Sequence, residues 1–275
     1  MATKNYEGIL FIEGIPERTV DPLTEEAAIQ ININERPFTV SMRTPGEDKA
    51  MVRGLLHAED IIRDIQFHPE MSILEENQNG IVRVVNCSIP IDKLGEGYSN
   101  SRSLLSVSSC GICGKTELSD LTFEGERIQE NEPLNIEAIK GLFDRMRESQ
   151  LQFERSGGSH AAAAFSESGE ILCSMEDIGR HNAVDKVVGQ LLLDGNLSKA
   201  RIMTVSGRIS YEIVIKCFKA RIPILAAVSA PSSLAVDFAK ELGLTLLAFS
   251  RGVRTTCYAH PERIQRTENM NSKAS

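Results

Sequence analysis

Apolar and polar residues alternate through Ile29, Ile31 and Ile33, and the stretch from Ala28 to Val40 turns at Asn34-Glu35-Arg36-Pro37. A period of two predicts two short paired strands. Thr44-Pro45-Gly46-Glu47 has the form of a capping box, with Thr44 as N-cap, Pro45 at the first helical position and Glu47 completing the box. The helix it starts buries Met51, Val52, Leu55 and Leu56 at helical spacing. Further strands are expected between Ile61 and Ile91, among them Gly80 to Val85. Asp92 to Ser103 reads as linker and Leu121 to Pro133 as polar and irregular, which places a domain boundary near residue 130.

Beyond it, Asn135 to Leu151 carries Ile136, Ile139, Leu142, Phe143 and Met146 on one helical face. Glu170 to Met175 suits a strand, and a helix through Val188 and Leu192 follows. Arg201 to Val205 is a strand and Ser206 to Glu212 a strand-to-helix turn, with Ser206 and Ser210 as candidate caps. A helix through Ile213, Ile215 and Phe218 leads to a strand over Ile222 to Val228. After the turn Ser229 to Ser233, Leu234 to Leu242 is a helix and Leu244 to Phe249 the last core strand. Strands alternating with helices, with polar turns at one end, describe a three-layer α/β domain.

The chain has 275 residues, 41% of them hydrophobic and 25% charged, which are ordinary globular values. It shows no apolar run of membrane-spanning length and no signal-peptide core, so a cytoplasmic protein without membrane contact is expected. Six cysteines in that setting read as thiols. The net charge is -8, yet Arg201 to Arg266 holds ten Lys/Arg against four Asp/Glu, leaving 20 basic and 34 acidic residues elsewhere. A basic C-terminal third fits a local anion site or an ordinary charge fluctuation. The basic residues are spaced between apolar strands, which argues against a nucleic-acid coat.

One short stretch concentrates the chemistry: Ser106-Val107-Ser108-Ser109-Cys110-Gly111-Ile112-Cys113-Gly114-Lys115. Small residues around both thiols read as a loop, and Lys115 favours thiolate. Three uses are open. A structural zinc needs four ligands, but the other cysteines are single and no histidines cluster. A dithiol redox site would open a helix after a strand, whereas a polar, acidic stretch follows here. The third use is a sulfur-carrying nucleophile, and spacing alone does not rank it above the second.

Other candidates are weighed one by one. Arg43 either faces a ligand or is a solvated turn residue. Gly157-Gly158-Ser159-His160 brings backbone close to something, with His160 as proton donor, ligand contact or hydrogen-bonded structural residue. Glu176-Asp177-Ile178-Gly179-Arg180-His181-Asn182-Ala183-Val184-Asp185-Lys186 packs seven charged or amide side chains at a helix start, more than a surface filler requires. Ligands in α/β sheets bind beyond the carboxyl ends of the strands, where Ser206, Arg208, Ser229, Ser232, Arg251 and Arg254 fall. Two arginines three apart suit a phosphate.

The chain resembles the FdhD family of formate dehydrogenase accessory sulfurtransferases. The matching segments are 43–48, 108–115, Gly157 to Ala162, Glu176 to Lys186, Ser206-Gly207-Arg208 and Phe249-Ser250-Arg251, in the family's order. The resemblance implies a persulfide on Cys110, assisted by Cys113. The sulfur comes from a cysteine desulfurase and goes to the molybdenum or tungsten bis(guanine dinucleotide) pterin cofactor of formate dehydrogenase. It implies that Phe249, Ser250, Arg251, Gly252, Val253 and Arg254 hold the cofactor's guanine-nucleotide part. The cofactor is a bound substrate with no permanent group beside it, and a homodimer is usual among similar proteins. Residues 1–130 would be a smaller α+β domain ending in the CxxC loop. Residues 131–275 would be a domain similar to the cytidine deaminase fold without its zinc site, because His160-Ala161-Ala162, read as a helix start, lacks the catalytic glutamate and no Pro-Cys-x-x-Cys exists. The alternatives are a cofactor chaperone without sulfur chemistry and a dithiol redox protein.

Overall fold

The structure is a computed structural model and describes residues 2–100, 126–129, 133–252 and 254–265. The CxxC stretch with Cys110 and Cys113, and Val253, lie outside the described residues.

The chain opens with a hairpin that the sequence did not reveal, β1 (Thr3–Ile12) and β2 (Ile15–Thr24). Glu13 and Gly14 join them with φ of 52° and 85°, the left-handed pair of a tight hairpin turn. Its apolar residues do not alternate, and Ile9, Phe11, Ile15 and Val20 are all exposed, so no buried face marks the period.

A four-stranded sheet follows, built from β3 (Ala27–Ile33), β4 (Arg36–Arg43), β5 (Glu70–Glu76) and β6 (Val82–Ser88) in the order β4-β3-β6-β5. The expected β3–β4 turn is present, and strand pairing resumes only at Glu70 after irregular chain from Ile62. Helix α1 (Asp48–Ala58) packs Met51, Val52 and Leu56 against Ile29, Ile31 and Val85. Each such fully buried side chain contributes on the order of 2 kcal/mol.

The cap of α1 is not Thr44. Glu47 is the N-cap, at φ 55°, because Thr44 is engaged elsewhere. Thr44 donates its N–H to Asp177 Oδ2 (3.0 Å), and its Oγ1 accepts from Ile178 N (3.0 Å). A short helix α2 (Glu96–Asn100) stands in the expected linker.

After β7 (Leu134–Asn135), helix α3 (Ile136–Glu148) ends earlier than expected, and α4 (Leu151–Ser156) is separate. The main sheet comprises β8 (His160–Phe165), β9 (Ile171–Asp177), β10 (Ile202–Val205), β11 (Ile224–Ala227), β12 (Thr245–Arg251) and β13 (Arg254–Ala259). Its order is β13-β12-β11-β10-β8-β9, with β10, β11 and β12 parallel. β12 is therefore not the last core strand: β13 adds an antiparallel edge. His160 opens a strand, not a helix.

Helices α5 (Arg180–Leu193), α6 (Tyr211–Lys219) and α7 (Ser233–Leu242) cover one face of this sheet. Helix α3 covers the other through Ile139, Leu142 and Met146, so three layers form. β14 (Ile264–Gln265) pairs with β7. Among the described residues no helix is long and apolar enough to cross a membrane.

Two glycines let α1 and α5 touch backbone to backbone. A Cβ on Gly54 would stand 1.9 Å from Asp185 O, and one on Gly189 would stand 1.8 Å from Ala50 O. Nothing larger than hydrogen fits at either contact.

Candidate functional site

The parallel strands β10, β11 and β12 end on the same edge of the sheet, and antiparallel β8 begins there. His160, Ser206, Val228 and Ser250-Arg251 thereby meet around one cleft of about 600 Å³. Ser206 fixes the junction: its N–H donates to Ala161 O (3.0 Å), and its Oγ accepts from Ala161 N (2.9 Å). Phe143, Met146 and Arg147 of α3, with Phe153 of α4, form the opposite wall. Arg147 lies over the Phe153 ring, 4.6 Å from its centroid.

The end of β12 is shaped by an irregularity. Phe249 has φ 53° and donates its N–H to Ser229 O (3.1 Å), while its ring leans on Tyr258 at 6.4 Å. The strand bulges between Ala248 and Arg251, and bulges re-aim side chains. Ser250 is left 6% exposed with no hydrogen-bond partner for Oγ, on the cleft wall. Arg251 anchors Nε on Val228 O (3.0 Å) and is otherwise exposed. Arg254 stands opposite Arg251 across β12 and β13. Facing like charges repel, so this pair favours an anion between them. Gly252, at φ 54°, makes the turn.

His160 is half-buried, and its pKa lies below the usual 6.5. Burial is the main cause, then the charges of Arg180 and Arg208, with Asp177 pulling the other way. The ring is therefore neutral at pH 7 and presents one donor and one acceptor.

Most of the dense block at the start of α5 is structural. Glu176 accepts from Gln152 N (2.8 Å), Phe153 N (2.8 Å) and Ser159 Oγ (2.7 Å), and so holds the start of α4. Asp177 and Lys186 form a buried pair, and Asn182 bridges Asp177 Oδ1 (3.0 Å) and Met42 O (2.8 Å). Asp185 is paired with Lys216 at 2.6 Å, and burial pushes its carboxyl up to about 6 despite that cation. His181 Nε2 contacts Ser210 Oγ at 3.0 Å. Of the seven polar side chains, Arg180 and Asp177 act on His160 through their charges.

Arg43 is neither ligand-facing nor solvated. It is fully buried, with Nε on Asp48 Oδ1 (2.6 Å) and its terminal nitrogens on Ala27 O and Val82 O. Ser232 caps α7 by accepting from Ala235 N (3.1 Å). The wall of Phe143, Met146, Arg147 and Phe153 was not foreseen as part of a site. Two of its residues read as the core face of α3, and only Arg147 next to that face hinted otherwise. Among the described residues no three His, Cys, Asp or Glu side chains gather as metal ligands do.

A sequence model described as the FdhD/NarQ family matches residues 24–265. The sulfur carrier protein FdhD of Streptomyces coelicolor is 39% identical over 269 residues, covering 95% of both chains. That of Sulfolobus acidocaldarius is 39% identical over 253 residues, covering 92% of this chain and 94% of the relative. The crystal structure of a putative formate dehydrogenase accessory protein from Desulfotalea psychrophila superposes with a TM-score of 0.75 at 23% identity. It covers 96% of this chain and all of that one, which speaks for the fold. Matched along nearly its whole length, this chain belongs to the FdhD/NarQ family.

Proposed function

We propose that this chain is a sulfur carrier and sulfurtransferase that loads Cys110 from a cysteine desulfurase. It then passes the sulfur to the molybdenum or tungsten bis(guanine dinucleotide) pterin cofactor destined for formate dehydrogenase. Relatives named sulfur carrier protein FdhD support the sulfur chemistry. The observation that carries the cofactor half is the cleft at the end of β12, where Ser250 Oγ has no partner and Arg251 faces Arg254. Phe249 to Arg254 would hold the guanine-nucleotide part, with Val253 completing the segment. Residues 1–130 and 131–275 serve as its two domains, and the working unit is a cytoplasmic homodimer.

The chemistry balances with two thiols. The Cys110 thiolate attacks the outer sulfur of the donor's persulfide, the donor's S–S bond breaks, and the donor cysteine leaves as thiolate. The Cys110 persulfide now carries the outer sulfur. Attack by the Cys113 thiolate on the inner sulfur forms a Cys110–Cys113 disulfide and releases the outer sulfur as hydrosulfide, the form in which it binds a metal. A cellular dithiol reductant restores both thiols. In this reading the larger unit is a relative of the cytidine deaminase fold that performs no deamination, since the chain carries no Pro-Cys-x-x-Cys to hold a catalytic zinc.

Two variants test the reading together. Cys110→Ala should keep guanosine diphosphate binding and lose sulfur transfer, whereas Arg251→Ala should weaken that binding. Sulfur transfer surviving in Cys110→Ala would sink the carrier role, and unchanged binding in Arg251→Ala would sink the cleft assignment.

A further inference from the structure

We propose that the β1–β2 hairpin is a dimerisation arm, covered by the same hairpin of a second copy of this chain. This rests on the homodimer reading above and names the surface that builds the dimer.

The hairpin has no cover of its own. The body holds it at its open end, where Ala2 O accepts from Gln152 Nε2 (3.0 Å) and Thr24 Oγ1 lies 2.6 Å from Ser156 Oγ. Its ten-pair ladder belongs to no larger sheet. An isolated two-stranded hairpin is marginal in water, and stability needs further strands or a packed face. Eight of the seventeen large apolar side chains exposed among the described residues lie on it, each about half to two-thirds exposed. Together they leave on the order of 800 Å² open. That is more than the largest apolar patch of a typical monomer and about what each partner gives to a standard interface.

Directly paired residues share a face, and both faces are apolar toward the tip. Ile9, Phe11 and Pro16 stand on one, and Leu10, Ile12 and Ile15 on the other. A flat neighbouring surface would cover one face only. Insertion between two elements of a partner covers both, as exchanged arms do.

The two edges differ as well. Proline cannot donate to a ladder, so Pro16 and Pro22 turn away from β1 and blunt the outer edge of β2. β1 holds no proline between Thr3 and Ile12. Phe11 and Asn5 pair with those prolines, so they, with Glu7 and Ile9 at the same parity, point their N–H groups outward from β1. The free edge is thus that of β1. Two copies of β1 set antiparallel across a two-fold axis satisfy each other and join the hairpins into a four-stranded sheet. The need for permanent cover favours a second copy over a client enzyme, because a partner that leaves after each delivery would return the whole patch to water.

Size-exclusion chromatography with light scattering tests this on the full chain, with Ile9→Pro and the double variant Phe11→Glu/Ile12→Lys. Wild type should show twice the 30.3 kDa of one chain. The N–H lost in Ile9→Pro serves no bond within the hairpin, and the double variant charges both faces. Each should raise the dimer dissociation constant about a hundredfold or more and elute as monomer, with near-ultraviolet circular dichroism unchanged. Hydrogen exchange on wild type needs no substitution: the amides of Asn5, Glu7, Ile9 and Phe11 should be protected in the dimer and lose that protection on dilution. A monomeric wild type contradicts the homodimer itself, and the arm with it. A wild-type dimer that both variants keep, or whose outward β1 amides exchange freely, overturns the arm alone. So does protection that arises only when formate dehydrogenase is added, which would make the client the occupant.

Discussion

Lys186 Nζ lies 2.8 Å from Asp177 Oδ2, with 2% of the lysine side chain and none of the aspartate exposed. The lysine also donates to Thr44 O (2.9 Å) and Glu176 O (3.3 Å), and Asp177 accepts from Thr44 N. One buried ion pair therefore clamps the β4–α1 turn to the β9–α5 turn. Removing one partner leaves the other charge buried and unpaired. Lys186→Met should cost about 3–5 kcal/mol, read from chemical denaturation. The double variant with Asp177→Asn should recover part of the loss. A single variant within about 1 kcal/mol of wild type would refute the clamp.

The α1–α5 contact gives a second expectation. Gly54→Ala places a methyl where Asp185 O stands 1.9 Å away, and Gly189→Ala does the same against Ala50 O at 1.8 Å. Backbone does not yield as a flexible side chain does. Each variant should lose roughly 1–3 kcal/mol or more through helix displacement. Urea midpoints equal to that of wild type would show that the helices stand further apart.

Acid should weaken the protein through two histidines. Burial, then Arg53, lowers the pKa of His57 below 6.5, and burial, then Arg180 and Arg208, does so for His160. The backbone bond of His57 to Lys219 O opposes this, and Lys219's own charge reinforces it. The unfolded chain binds these protons first as pH falls, so stability is full above 6.5 and declines as pH drops below it toward the folded-state pKa values. Asp185, raised to about 6, acts in the opposite sense. Thermal melting between about pH 7.5 and pH 5.5 should show His57→Gln and His160→Gln losing less stability than wild type. An identical decline in both would place the acid sensitivity elsewhere.

Thiol reactivity should separate two classes of cysteine. Burial pushes Cys87, Cys173 and Cys217 up to about 12, and Cys257 upward as well. At pH 8 the first three are thiolate in only about one molecule in ten thousand. Labelling with a chromogenic disulfide should show two fast thiols that vanish when Cys110 and Cys113 are both replaced by alanine. A fast phase persisting in that double variant would contradict this.

The sequence was most legible where one face of an element is buried. The β3–β4 hairpin, α3 and the alternating strands and helices from Arg201 onward all carried a clear period, because each packs one side on a core. The β1–β2 hairpin carried none, since its apolar residues are exposed on both strands. Thr44 looked like a cap because its local pattern is right. A partner 133 residues away, Asp177, claims its N–H, and no local rule reports that. The dense polar block similarly looked like a site but is mostly a buried network. The cleft was half legible: Ser206 and Arg251 stood out as polar residues at strand ends and His160 after a double glycine, Ser250 entered only through the family resemblance, and Phe143 and Met146 were indistinguishable from core.

Intact-protein mass spectrometry after incubation with a cysteine desulfurase and cysteine reaches the central claim most directly. Wild type should gain the mass of one sulfur atom, reversible by a dithiol reductant, and Cys110→Ala should gain none. Cys113→Ala should load sulfur but fail to release it. A wild-type protein that never gains sulfur, or a Cys110→Ala variant that gains it as readily as wild type, would contradict a persulfide carried on Cys110.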